Sequence, residues 1–213
     1  MSSYIVRSAV VCSVILIAAL TGCSAKQRAN SGFLVDYSEL KPSPLVEGAY
    51  AYRNPSFDLG KFDKFIIDPI GVHFAPDASG AAVDPKTLQE MTAYFRTKLI
   101  EGLSKNYKVV DAAGDGTLRL RIALTDLQKS NPALNIHPAT KLSGVGLGAA
   151  SVEAEGLDTA SGKRLFAFVH TRSGDRLSIV EGLEFWGHAK QAMDFWAAKL
   201  VERVDEAHGK AKP

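Results

Sequence analysis

Cysteine is nearly absent: the 213 residues hold two, Cys12 and Cys23, and no thiol lies beyond position 23. Disulfide scaffolds, thiolate zinc sites and cysteine nucleophiles are thereby excluded together from everything that follows Cys23. An excess of one charge is missing too, because 25 Lys and Arg stand against 23 Asp and Glu. Without a dense basic face there is no electrostatic footprint for a phosphate backbone, and nucleic acid is not an expected partner. Long apolar runs are also lacking. The run from Ala9 to Leu20 would make a helix of about 18 Å, well short of the ~30 Å hydrocarbon core of a bilayer, so a permanent span is not expected. A composition of 46% hydrophobic and 23% charged residues excludes disorder throughout and fits one globular domain, with no internal repeat to suggest more.

Motifs that name a reaction are missing as well. The five histidines, 73, 137, 170, 188 and 208, show no H-x-H, H-E-x-x-H or other zinc-ligand spacing, so no metal is expected. His73 and His170 read as ordinary strand residues, half-buried or solvated, and His188 as a surface residue at a helix start. No serine sits in a G-x-S-x-G elbow. The segment Leu142 to Ala150, with glycines at 144, 146 and 148, fits neither a dinucleotide fingerprint nor a Walker loop, because it leads into a strand. It reads as a flexible loop or a glycine-rich strand start, and no cofactor is expected. Glu153 and Glu155 share a strand face and read as solvated, paired with Arg119 or Arg121 on a neighbouring strand.

What the chain does have begins at its amino terminus. Arg7, the apolar run and the small residues after it are the n-region, h-region and processing site of a signal peptide, residues 1–22. Leu20-Thr21-Gly22-Cys23 resembles the lipobox of bacterial lipoproteins. That resemblance implies cleavage before Cys23, with Leu20, Thr21 and Gly22 read by the signal peptidase and a thioether diacylglycerol on the Cys23 sulfur. Acyl chains contribute ~0.8 kcal/mol per buried methylene, so several chains on one residue make a lasting anchor. Ser24 after the cysteine implies sorting to the outer membrane, on its periplasmic face, with surface exposure left open.

Residues 23–61 read as a lipidated tether and irregular lead-in, since Pro42, Pro44 and Pro55 break any helix and neither periodicity is sustained. Their aromatic content predicts that the second half lies across the domain surface. The domain proper is expected over 62–208, with a disordered tail at 209–213. Lys64 to Phe74 predicts a buried strand kinked at Pro69. Asp84-Pro85 opens a helix whose stripe is Leu88, Met91, Phe95, Leu99 and Leu103. Tyr107 to Asp111 and Leu118 to Asp126 predict two strands, the second strictly alternating, and Ser151–Asp158 with Arg164–Arg172 predicts a hairpin. Trp186 to about Ala207 closes the chain as an amphipathic helix, with Trp196 expected in the core. The expected fold is a single α+β domain. Its mixed, mostly antiparallel sheet has about five strands in the order β-α-β-β-β-β-α, with the first two paired in parallel and two amphipathic helices packed on the sheet.

Ser31-Gly32-Phe33-Leu34, Tyr52-Arg53-Asn54-Pro55, Lys64-Phe65-Ile66-Ile67-Asp68-Pro69, the strands at 118–126 and 151–155 and Trp186-Gly187 together resemble an uncharacterised family of Gram-negative lipoproteins, domain of unknown function 3313. The resemblance implies a lipoprotein and carries no activity or ligand. The expectation is therefore an outer-membrane-anchored periplasmic lipoprotein serving as a non-enzymatic interaction or accessory module with an envelope protein as partner. Its candidate contact surface is Phe33, Leu34, Tyr37, Gly144, Gly146, Gly148 and Trp186. Two alternatives are an envelope hydrolase with a dispersed site, recognisable by a converged triad, and a carrier of lipid or another apolar ligand, recognisable by an apolar pocket of ~300 Å³ or more.

Overall fold

The computed structural model describes residues 29–136, 146–175 and 183–210. Leu20, Thr21, Gly22, Cys23 and Gly144, each singled out above, lie outside the described residues, as do residues 211–213 of the expected tail 209–213.

Among the described residues, eight strands form one open mixed sheet. In chain order they are β1 (Lys41–Pro42), β2 (Tyr50–Arg53), β3 (Lys64–Ile67), β4 (Gly71–Val72), β5 (Lys108–Val109), β6 (Thr117–Gln128), β7 (Ala149–Asp158) and β8 (Arg164–Ser173). In space they run β1-β2-β8-β7-β6-β3-β5, with β4 also on β6. The expected parallel pair forms between β3 and β5, and β3 and β4 run parallel to β6 as well. All other pairings are antiparallel, including the expected β7–β8 hairpin. The sheet thus has more strands than the five expected. The kinked strand at 64–74 is split, because Pro69 has no N–H for the ladder. Ile67 pairs with Leu120 and Gly71 with Ala123, so one extra residue is looped out around the proline. The other additions, β1 and β2, come from the lead-in, which joins the sheet where Tyr50–Arg53 pairs antiparallel with β8.

Two long helices pack on each other and on one sheet face. The first, α1 (Pro85–Leu103), starts where Asp84 accepts the Thr87 N–H at 2.9 Å, with proline in its first turn, and it buries Met91, Phe95, Leu99 and Leu103 as the spacing predicts. A short helix, α2 (Pro132–Ile136), follows β6 and was not foreseen. The last, α3 (Gly187–Ala207), buries Ala189, Met193, Trp196 and Val204.

Side chains alternate across a strand, so the sheet has two unlike faces. Leu118, Leu120, Ile122 and Leu124 of β6 and Val152 of β7 are buried on the face that carries the helices. The opposite face holds charge: Arg121 pairs with Glu155, and Arg119 Nε meets Asp68 at 3.0 Å. Residues 31–40 strap this second face. Leu34 is buried, the Phe33 ring lies 5.2 Å from that of His73 and 5.4 Å from the Arg121 guanidinium, and Arg164 donates to the Asp36 carbonyl at 2.8 Å.

Candidate functional site

The strap settles where several expected residues stand. The Tyr37 hydroxyl donates to Glu153 Oε2 at 2.6 Å while accepting N–H groups from Gly32 and Leu34, and the Ser31 N–H donates to Glu153 Oε1 at 3.1 Å. Burial and the Glu153 carboxylate push the Tyr37 phenol above its ordinary pKa. Phe33, Leu34 and Tyr37 therefore cover the domain's own sheet, and Leu34, with 2% of its surface exposed, offers nothing to a partner. Glu153 and Glu155, read above as solvated, are buried at 2% and 3% exposure because this strap lies over them. Their pairing with the neighbouring strand holds for Glu155 and Arg121.

Gly148 is a close-approach residue at the start of β7: a Cβ there would stand 2.5 Å from Ser130 Oγ. Gly146 adopts φ +88° against Leu134, and Trp186 is half-buried against the core. His188 is buried, not at the surface, because α3 begins by driving its ring under Gly174, whose Cβ would sit 2.1 Å from Cγ. Its Nδ1 accepts the Gly148 N–H at 3.2 Å and lies 3.1 Å from Ser130 Oγ. This is a serine–histidine contact that no sequence motif announces. Ser130 is itself buried, and the histidine nitrogen already takes a backbone N–H, so the pair ties the end of β6 to the starts of β7 and α3.

His170, expected to be half-buried or solvated, is also buried, at 4% exposure. Trp196 Nε1–H donates to its Nδ1 at 2.9 Å, and the ring bonds the Glu47 backbone. With Nδ1 accepting, the neutral ring carries its proton on Nε2. Desolvation first, and then the Arg172 charge, lower its pKa to about 4. His170 and His73 lie on different faces of the sheet and do not combine.

On the helix face, between β2, β8, β7 and β6 and the helices α1 and α3, lies a cavity of about 600 Å³. Its walls include Phe166, Phe168, Ala154, Ile122, Leu99 and Leu200. Two local features make room for it. Small Ala154 stands opposite Phe168 in the hairpin register, and Gly156 lets the Phe166 ring lie across β7, where a Cβ would come within 2.1 Å of it. The loop before β2 contributes Leu45 and Val46, turning at Gly48 with φ +75°. His170 anchors this loop through Glu47. The charged residues of the lining are Arg53 from β2, Asp58 after it, Glu155 from β7, and Lys199, Arg203 and Glu206 from α3. A second cleft of about 390 Å³ where β3 breaks has a mixed lining, with Ile66, Pro69 and Leu157 beside Arg119 paired to Asp68 and Arg96 donating to the Ile67 carbonyl. No cluster of three or more His, Cys, Asp or Glu that could hold a metal occurs among the described residues, and no described helix is long and apolar enough to cross a membrane.

A family model for proteins of unknown function, DUF3313, matches residues 29–200, a stretch that includes the strap, the sheet and most of α3. The chain belongs to the DUF3313 family. A relative of this DUF3313 chain, the uncharacterized lipoprotein YdcL of Escherichia coli, is 28% identical over 193 residues, covering 83% of this chain and 86% of its own length. Among solved structures, PelC from Paraburkholderia phytofirmans, a dodecamer, aligns with 77% of this chain and 98% of its own at 12% identity and a TM-score of 0.40. The DUF330 protein XCC0632 from Xanthomonas campestris aligns with 74% and 91% at 11% identity and a TM-score of 0.39. The family carries no assigned reaction.

The aromatic-rich run Tyr50–Arg53 is a local hint of a strand, but only its pairing with β8 places Arg53 opposite Phe166. Nothing in the sequence marks the void itself, which arises between elements far apart along the chain.

Proposed function

We propose that this DUF3313 protein is an envelope lipoprotein, anchored through acyl chains on Cys23 at the periplasmic face of the outer membrane, whose domain binds an apolar ligand in the cavity under α1 and α3. The observation that carries the reading is the cavity of about 600 Å³, walled by aromatic and aliphatic side chains, inside the ~300–1,000 Å³ range of ligand sites. A long hydrocarbon chain suits such walls, each methylene contributing ~0.8 kcal/mol on leaving water. The reading keeps the protein a non-enzymatic accessory of the envelope. It is favoured over a docking role for Phe33, Leu34 and Tyr37, which the strap engages, and over hydrolysis, for which the buried Ser130–His188 pair offers no open nucleophile.

The test is photo-crosslinking in cells producing the full chain and fed a diazirine-bearing hexadecanol. Adducts on peptides carrying Leu99, Phe168 or Leu200 are expected, and Ala154→Phe, which fills the cavity, removes them without loss of the folded protein. Adducts confined to peptides outside the cavity, or unchanged by Ala154→Phe, overturn the reading.

A further inference from the structure

We propose that the cavity's ligand is an anionic amphiphile, its acyl chain lying between sheet and helices and its acidic head held by Arg53 at the mouth. The inference rests on the reading of the cavity as a ligand site and adds the ligand's charge and the residue that reads it.

The charges lining the cavity are not equivalent. On α3, Arg203 Nη1 pairs with Glu206 at 2.7 Å and its Nη2 lies 3.4 Å from Glu202, which also takes Lys199. Two cations there meet two carboxylates, and the helix side of the lining is neutralised from within. Asp58 is held in place, accepting the Gly60 N–H at 3.1 Å as the cap of a 3₁₀ turn, and keeps its negative charge without an ion-pair partner among the described residues. Glu155 is buried and faces Arg121 on the other side of the sheet.

Arg53 differs from all of these. It is an exposed side chain at the end of β2, and among the described residues it has no carboxylate within ion-pair reach. One N–H is committed, donating from Nη2 to the Phe57 carbonyl at 2.8 Å, and the guanidinium sits 5.5 Å from the Phe57 ring centroid. Phe57 in turn stacks on Phe166, a wall of the cavity, at 5.8 Å. The guanidinium is thus steered by a carbonyl and an aromatic face, with most of its five N–H donors still open. A planar fork of this kind favours carboxylate and phosphate oxygens, which it can meet through two parallel bonds. An apolar cavity with one oriented, uncompensated cation at its edge matches a molecule with a hydrocarbon tail and an anionic oxygen head. A fatty acid and a lysophospholipid share that chemistry.

The experiment repeats the photo-crosslinking with three diazirine probes of equal chain length: palmitic acid, a lysophosphatidylglycerol and the neutral hexadecanol. In the wild-type lipoprotein both anionic probes label the cavity peptides more than the alcohol does. Arg53→Gln lowers anionic labelling roughly tenfold, as expected for loss of a hydrogen bond to a charged group, and lowers labelling by the alcohol far less, so the ratio of anionic to neutral labelling falls. Arg53→Lys restores part of it. Asp58→Asn keeps the turn's cap through the amide oxygen and removes a negative charge from the lining, so it raises anionic labelling without touching Arg53. A loss confined to palmitic acid names a free carboxylate as the head, and a loss confined to the lysophospholipid names a phosphodiester. If Arg53→Gln and Asp58→Asn both leave the ratio of anionic to neutral labelling unchanged while the alcohol still labels the cavity, this inference fails and the cavity reading stands. If the alcohol does not label the cavity either, the cavity reading itself has failed.

Discussion

Protonation of His170 gives the domain a stability defect on the acid side whose size follows from its surroundings. The ring is 4% exposed, accepts the Trp196 indole N–H and bonds the Glu47 backbone, and burial with the nearby Arg172 charge holds its pKa at about 4. In the unfolded chain the same ring titrates near 6.5. As pH falls through 6.5 the unfolded chain takes a proton that the folded one refuses, so stability falls until the folded ring also protonates near 4, and the loss is constant below that. At pH 4.5 most of this separation has been spent, a loss of roughly 2.5 kcal/mol relative to pH 7.5. Other groups titrate over the same window, so the term is isolated by comparison with His170→Phe, which cannot titrate there. That variant leaves the Trp196 N–H without its acceptor and should be less stable than wild type by roughly 1–3 kcal/mol at pH 7.5. Urea unfolding at both pH values should show the wild-type advantage shrinking by roughly 2.5 kcal/mol at pH 4.5. A gap that does not change, or imidazole NMR shifts that titrate near 6.5 in the folded protein, would refute the reasoning.

The strap and the hairpin give two further expectations. Tyr37→Phe removes the hydroxyl that bridges Glu153 to the Gly32 and Leu34 amides, and should cost roughly 1.5–3 kcal/mol in unfolding free energy. Hydrogen exchange should then rise across residues 31–40 while α1 and α3 keep their protection; equal loosening everywhere would show that the strap is not a separate unit. Gly156→Ala places a methyl 2.1 Å from the Phe166 ring and should destabilise by roughly 1–3 kcal/mol through overpacking. Pairing it with Phe166→Leu should recover part of that loss in thermal unfolding, and no recovery would place the strain elsewhere.

Periodicity alone determined much of the architecture. The stripe Met91, Phe95, Leu99, Leu103 can be buried only as a helix, and Leu118 to Leu124 alternates only as a strand, because each side-chain period must match one backbone geometry to keep a single face dry. Asp84-Pro85 set the helix start, and Pro69 set the break between β3 and β4. These signals are local, carried by residues a few positions apart.

What tertiary structure decided is whatever required two distant segments to meet. The lead-in holds three prolines and lacks a sustained period, yet its Tyr50–Arg53 stretch becomes a strand because β8 offers an open edge and unpaired backbone groups seek partners. Glu153 and Glu155 lie on what alternation marks as the outer face, and they are buried because a strap more than a hundred residues away crosses them and supplies Tyr37 and the Ser31 amide. His170 and His188 carry no local mark of burial; Trp196, Gly148 and Gly174 impose it from other elements. The cavity is the extreme case, since an empty volume has no residue of its own. It exists where Ala154 and Gly156 on β7 leave space beneath helices that pack on their larger side chains, and Arg53 gains its place beside it only when β2 pairs with β8.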